Sequence, residues 1–448
     1  MNTIKMRAAC AVLTGATGLF CSNIAGAAIP IERWTQPSGA QVFLVESPAI
    51  PMVDVRLELD AGARRDPADK PGLANLMAAA TSDGVRATAT EPALDENGLS
   101  EAWADLGGSF GGSASADRMT FSLRSLTYPD LLPKAVALAA RQLADPSFPE
   151  AIWLRDRPKM IASLKEAQTR PGNVAGKAFI KAVYGTHPYG AEMTEATLLN
   201  TSVQDMAALH DRVLRPCRAK VSIVGALNRA QADTLVTQLL ARLPQGACPV
   251  LPVVPEVAPL RQAQEQDIAF ASAQAHVLMG QPGYARRDPD HFALVVGNHI
   301  LGGGGFTSRL TAEVREKRGL TYSVYSYFSP GLHAGAFTIG LQTRPDQAQQ
   351  ALKLVREVLT QFVAKGPTEK ELQAAKDNLI GGFPLLLDGN RKLLENVANI
   401  AWNDLPLDYL DTWTQHIQAL TVADIRAAFA RKVQPEKMVT VVLGAPAP

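Results

Sequence analysis

The chain has 448 residues, 19% of them charged and 47% hydrophobic, and a formal net charge of +1. That length allows two or more domains with sizeable cores. A near-neutral chain without a long run of one sign removes the electrostatic case for binding nucleic acid or an anionic membrane surface.

The first 27 residues read as a secretory signal peptide. Lys5 and Arg7 precede an apolar stretch from Ala8 to about Phe20, and Ala25-Gly26-Ala27 offers a small-x-small cleavage setting. A membrane anchor would need a longer run with less Gly and Thr, and a lipid on Cys21 is poorly served by Phe20 before it. The expectation is export, to the periplasm in a Gram-negative host. No later segment reaches about 18 unbroken apolar residues, so no membrane contact is expected after cleavage. Cys10 and Cys21 leave with the signal. Cys217 and Cys248 remain, either as a bridge or as two free thiols, and they are too few to suggest a metal site.

Next come "QVFLVES" and "MVDVRLELDAG", strand-like runs, and then the short apolar stretch "KPGLANLMAAATSDG" at 70–84. "GGSFGGSASADRMTF" carries glycines that allow close backbone approach, and ordinary turn glycines are the plain alternative. Glu166 lies in "SLKEAQTR", where a solvated helical carboxylate is the simplest reading.

The chain is then written twice. "VQDMAALHDRVLRPCRAKVSIVG" (203–225) aligns without a gap to "VADIRAAFARKVQPEKMVTVVLG" (422–444), 219 residues later. Val203/Val422, Asp205/Asp424, Arg212/Arg431, Pro216/Pro435 and Gly225/Gly444 are identical. Each copy reads as an amphipathic helix stopped near a proline, followed by an apolar strand. Repetition at this distance means a duplicated domain rather than a solenoid. The halves are expected at 31–245 and 266–448, joined by a Pro-rich linker at 246–265. Strands mixed with long helices give an α+β plan in each half, with helices on one face of a mostly antiparallel sheet.

The second half holds the strongest motif, "LGGGGFTSRLTAEVREKRGLTYSVYSYF" at 301–328. It reads as a Gly-rich loop (Gly302, Gly303, Gly304, Gly305), a helix from about Thr307 to Arg318, and a strand rich in β-branched and aromatic residues. Leu310 and Val314 fall on the inner face, and Gly319 is placed as a left-handed cap.

This stretch resembles the C-terminal signature of the insulinase/pitrilysin zinc metallopeptidase family. The duplicated halves, the linker and "KPGLA" extend the resemblance across the chain. It implies that Arg315 holds substrate main chain and that Tyr322 donates to the oxyanion, as catalysis by preorganised donors requires. The Gly-rich loop resembles that of the non-catalytic processing-peptidase subunit, with a flexible connector as the alternative. Ser113, Ala114 and Ser115 would lie on the strand that pairs with substrate.

The comparison fails at the metal. The family binds zinc through H-x-x-E-H on one helix, two His four apart and a Glu as general base. Here Asn75, Ala78 and Ala79 hold those positions. Glu166 stands where the third ligand would be, without partners. The resemblance therefore implies no cofactor in this chain and zinc in a sister subunit. This chain would supply Arg315 and Tyr322 to that sister, for hydrolysis of unfolded peptides. The alternative is a stand-alone pseudo-protease that binds peptides or acts as a scaffold.

Overall fold

The computed structural model describes residues 29–444, so the signal-peptide reading lies outside the described residues. Thirteen strands run in chain order. They are β1 (Glu32–Thr35), β2 (Gln41–Glu46), β3 (Met52–Leu59), β4 (Gly84–Val85), β5 (Leu94–Asp95), β6 (Ser109–Ala114), β7 (Met119–Leu126), β8 (Lys220–Gly225), β9 (Gln264–Ile268), β10 (Ala275–Pro282), β11 (Ser323–Phe328), β12 (Ala336–Thr343) and β13 (Val439–Leu443). One sheet has the order β1-β2-β8-β3-β7-β6 and a second has β11-β12-β10-β13-β9, while β4 and β5 form a small ladder.

The two sheets share a five-stranded plan, to which the first adds β1. Reading outward from the second pairing, β6-β7-β3-β8-β2 matches β11-β12-β10-β13-β9. In both, only the pair at the far end is parallel, β2 with β8 and β9 with β13. The repeated segments occupy equivalent places. The helices Val203–Val213 and Val422–Lys432 begin with capping boxes, Ser202/Asp205 and Thr421/Asp424, which satisfy otherwise orphaned N–H groups. Each leads through a proline turn into the central strands β8 and β13. The fold is α+β and duplicated.

One refinement concerns what covers each sheet. The expectation placed helices on a single face, and each half does stack its own helices there, as with Phe121 and Leu143 in the first core and Phe337 and Phe362 in the second. The other face is covered by a helix from the opposite half. The helix Pro171–Tyr184 packs Ala175, Phe179 and Val183 against Val439, Val441 and Leu443. Its counterpart 219 residues later, Asn390–Trp402, packs Leu394, Val397 and Ile400 against Phe43, Val45 and Val224. Both faces of the central strands are therefore apolar, which a half-solvated sheet would not tolerate. Periodicity shows that a helix has a buried face, but not which sheet it buries against.

Polar contacts fasten the same joint. Asp117 accepts from Arg64 Nε at 3.0 Å, from the Tyr189 hydroxyl at 2.5 Å and from Leu332 N at 2.8 Å. Lys220 of β8 donates to Ala401 O at 2.8 Å. The linker runs without helix or strand to β9, which begins at Gln264, two residues inside the segment expected to be linker. Cys217 and Cys248 are bridged, resolving the open alternative.

Candidate functional site

Two clusters carry the family positions, one on each half. In the first half the helix Leu73–Ala80 starts after Gly72, whose φ of 99° suits glycine. Asp66 caps it, its two carboxylate oxygens accepting from Gly72 N and Ala74 N at 2.8 and 2.9 Å. Asn75 and Ala79, one turn apart, face outward, whereas Ala78 is fully buried. The helix presses on β6, the edge of its sheet. A Cβ on Gly112 would stand 2.4 Å from Ala78 O, so only glycine fits there.

Asn75 has an occupation of its own. Its Oδ1 accepts from Ala114 N at 3.2 Å, closing one donor of the edge strand. Ser113 and Ala114 end β6, and Ser115 turns the chain back, its N donating to Arg118 O at 2.8 Å. Glu166 is tied to Arg170 at 2.5 Å and both side chains are mostly exposed, so it is the solvated carboxylate of the simpler reading. Zinc would need imidazole, thiolate or carboxylate donors, and this helix face presents an amide and a methyl group. Among the described residues no group of three or more His, Cys, Asp or Glu is placed to hold a metal. The residues do not fit zinc.

In the second half the start of the Gly-rich segment is packed against its sheet. Residues His299–Gly303 form a π-helical turn, and Gly302 is buried so closely against β11 that a Cβ would meet Ser326 N at 2.6 Å. Gly303 and Gly304 sit equally close to Asn298 and to His299 O, and Gly305 takes φ +58°. Gly302 is thus packed, while Gly303 and Gly305 stay exposed.

The helix after it is shorter than expected. Helical residues begin at Arg309, and Thr311–Glu316 is π-helical, with Lys317 N donating to Ala312 O at 3.0 Å. Such turns insert one residue and re-aim side chains, which hydrophobic spacing alone does not reveal. Leu310 and Val314 are fully buried as expected. Gly319 has φ +60° and its N donates to Arg315 O at 2.8 Å, the bond of a left-handed αL cap, while Leu320 N donates to Val314 O at 3.0 Å.

That cap folds the chain back and sets Tyr322 beside Arg315. The guanidinium carbon lies 4.8 Å from the Tyr322 ring centre and 4.6 Å from that of Phe306, so both rings lie within cation–π range. Arg315 Nε also reaches Glu316 at 3.3 Å. Tyr322 is 80% exposed and Phe306 70%, an unusual investment of aromatic surface in water. Phe306 was not singled out from sequence. Its only signal is a large aromatic among glycines, four residues before Leu310.

A duplicated α+β body whose first-half helix carries Asn75, Ala78 and Ala79 and whose second half sets Arg315 beside an exposed Tyr322 has the build of a two-domain peptidase-like protein. Residues 41–197 match the family model described as insulinase (peptidase family M16), and residues 200–379 match the one described as peptidase M16 inactive domain. The chain belongs to this family. The crystal structure of a peptidase M16 inactive domain from Pseudomonas fluorescens is similar over 93% of this chain and 98% of its own, with TM-score 0.87 and 34% identity. An uncharacterized zinc protease of Streptomyces coelicolor is 26% identical over 89% of this chain and 86% of its own. A Helicobacter pylori relative described as a non-peptidase homolog is 25% identical over 86% and 87%. The periplasmic protease PqqL of Escherichia coli shares the fold, with TM-score 0.78 and 19% identity, over 98% of this chain but only 49% of that one.

Proposed function

We propose that this chain is the exported, zinc-free subunit of a two-subunit M16 peptidase. It supplies Arg315 and Tyr322 to a zinc-bearing sister and half of a chamber for unfolded peptides. The observation that carries the reading is the pairing of a half-buried Arg315 stacked on an exposed Tyr322 with a first-half helix bearing Asn75, Ala78 and Ala79. A guanidinium fixed by stacking keeps its N–H edge free for a carbonyl, and an exposed phenol can donate to charge developing on a scissile carbonyl. Neither group gains from exposure unless a partner or substrate covers it.

That the Escherichia coli protease holds a body of this fold in about half its length supports two such bodies working together. The second reading, a scaffold or peptide-binding protein without any peptidase partner, is favoured by the description of the Helicobacter pylori relative. Mixing the purified chain with a zinc-bearing M16 chain of the same organism separates them. Peptidase activity that neither shows alone supports the first reading, and a stable complex without activity, or no complex, supports the second.

A further inference from the structure

Away from both clusters, a cavity of about 380 Å³ lies between the first half and the linker strap 249–255. Its floor is apolar, with Ala61, Leu209 and Val213 all buried. The roof is held at three places. The Cys217–Cys248 bridge pins its start, Arg65 donates to Pro252 O at 2.8 Å, and His187 closes its end. His187 Nδ1 accepts from Tyr189 N at 3.1 Å, so Nε2 carries the hydrogen and donates to Pro255 O at 2.9 Å.

Four arginines line this space, and their charges are not equally satisfied. Arg64 is paired with Asp60 and Asp117, and Arg65 with Asp60. Among the described residues, Arg212, which is exposed at the mouth, and Arg218, which is half-buried, have neither an ion pair nor a side-chain hydrogen bond. Burial pushes the Arg218 guanidinium down from its ordinary range, and neighbouring Arg65 and Arg215 act the same way against an opposing pull from Asp60. The one acid on the wall, Asp66, has both oxygens accepting from the helix at Gly72 and Ala74; burial pushes its carboxyl up to about 6 against those bonds and a weaker pull from Arg212. An apolar floor edged by two guanidinium groups without an ion pair, Arg212 at the mouth and Arg218 further in, is complementary to a single anion on a hydrocarbon body.

We infer that the cavity under the strap binds an aliphatic carboxylate of medium chain length, its head on Arg212 and Arg218 and its tail on Leu209 and Val213. A peptide fits the roof poorly. Pro249, Pro252 and Pro255 have no N–H, and the carbonyls of Pro252 and Pro255 are taken, so a peptide main chain would lie there with its amides unpaired. A hydrocarbon has nothing to leave unpaired. This site stands apart from Arg315 and Tyr322 and does not depend on their role.

Calorimetric titration of the full chain with decanoate, and with decanol as the uncharged match, tests the assignment. Decanoate should bind at one site, at least roughly 10-fold more tightly than decanol. Arg212→Gln with Arg218→Gln should weaken decanoate by roughly 10- to 100-fold and leave decanol unchanged, as loss of charge-assisted hydrogen bonds requires. Arg212→Lys with Arg218→Lys should keep part of the affinity, which separates charge from misfolding. Equal binding of the two ligands, no binding of decanoate at millimolar concentration, or unaltered affinity in the glutamine variant would overturn it. Binding of an apolar peptide acid in place of decanoate would overturn the lipid class.

Discussion

Arg315 and Tyr322, seven residues apart across a left-handed glycine cap, stand in cation–π contact at 4.8 Å, with the Phe306 ring 4.6 Å from the same guanidinium. Three ordered groups are thus held together at the surface of a chain whose own first half offers zinc no ligand. Phe306 is a positioning residue in this arrangement. Phe306→Ala should free the guanidinium, raising the KM for peptide in the reconstituted peptidase several-fold with a smaller effect on kcat. Equal KM values in variant and wild type would remove Phe306 from the account.

Metal content is the simplest consequence of Asn75, Ala78 and Ala79. Purified chain should carry well under one zinc per molecule by elemental analysis, and a chelator should leave its thermal transition unmoved. One tightly bound zinc per chain would mean that the ligands lie elsewhere.

The exchange of helices between halves makes one cooperative unit of two domains. Phe179 is almost fully buried against the second sheet, and its ring lies within 2.8 Å of where a Cβ on Gly280 would stand. Phe179→Ala should cost about 3–5 kcal/mol, the range for large core truncations, although the residue belongs to the first half. The chain should still unfold in a single transition by calorimetry. Two resolved transitions would show that the halves are independent.

The disulfide ties the linker across 31 residues. Closing a loop of that length restricts the unfolded chain by about 3–4 kcal/mol in the chain-entropy account. Cys217→Ser with Cys248→Ser should lower stability by this order in denaturant titration, and an unchanged midpoint would show the bridge to be thermodynamically idle.

Glu58 on β3 is fully buried, with Arg118 Nη1 2.9 Å away. Burial pushes its carboxyl up to about 7, against the pull of Arg118, Arg56 and Lys220. The folded chain thus keeps a proton that the unfolded chain releases near 4.5. Its contribution is fully present below that pH and is lost as pH rises through about 7. Glu58→Gln should therefore gain on wild type between pH 4.5 and 7, by on the order of 3 kcal/mol in urea titrations. The comparison with the variant is needed because half-buried His291, held down to about 3 by desolvation, favours higher pH over part of the same range. A gap that is flat with pH would show that Glu58 is ionised in the fold.

Much of this was legible in the sequence because duplication and punctuation are local. The helix-proline-strand repeat at 203–225 and 422–444, the positive φ of Gly319 and the buried pair Leu310/Val314 all follow from spacing and residue type. The π-helical turn that carries Arg315 was not legible, since one inserted residue leaves the hydrophobic pattern nearly intact. Nor were the swapped helices or the Asp117–Tyr189–Leu332 joint, whose members are brought together only by the fold.

The central claim is that Tyr322 acts across an interface. Single-turnover peptide cleavage by the complex of this chain with a zinc-bearing sister, measured with wild type and with Tyr322→Phe, tests it most directly. Loss of one oxyanion donor predicts a fall of roughly 10²–10³ in rate with assembly unchanged. Cleavage at the wild-type rate by a fully assembled Tyr322→Phe complex would contradict it.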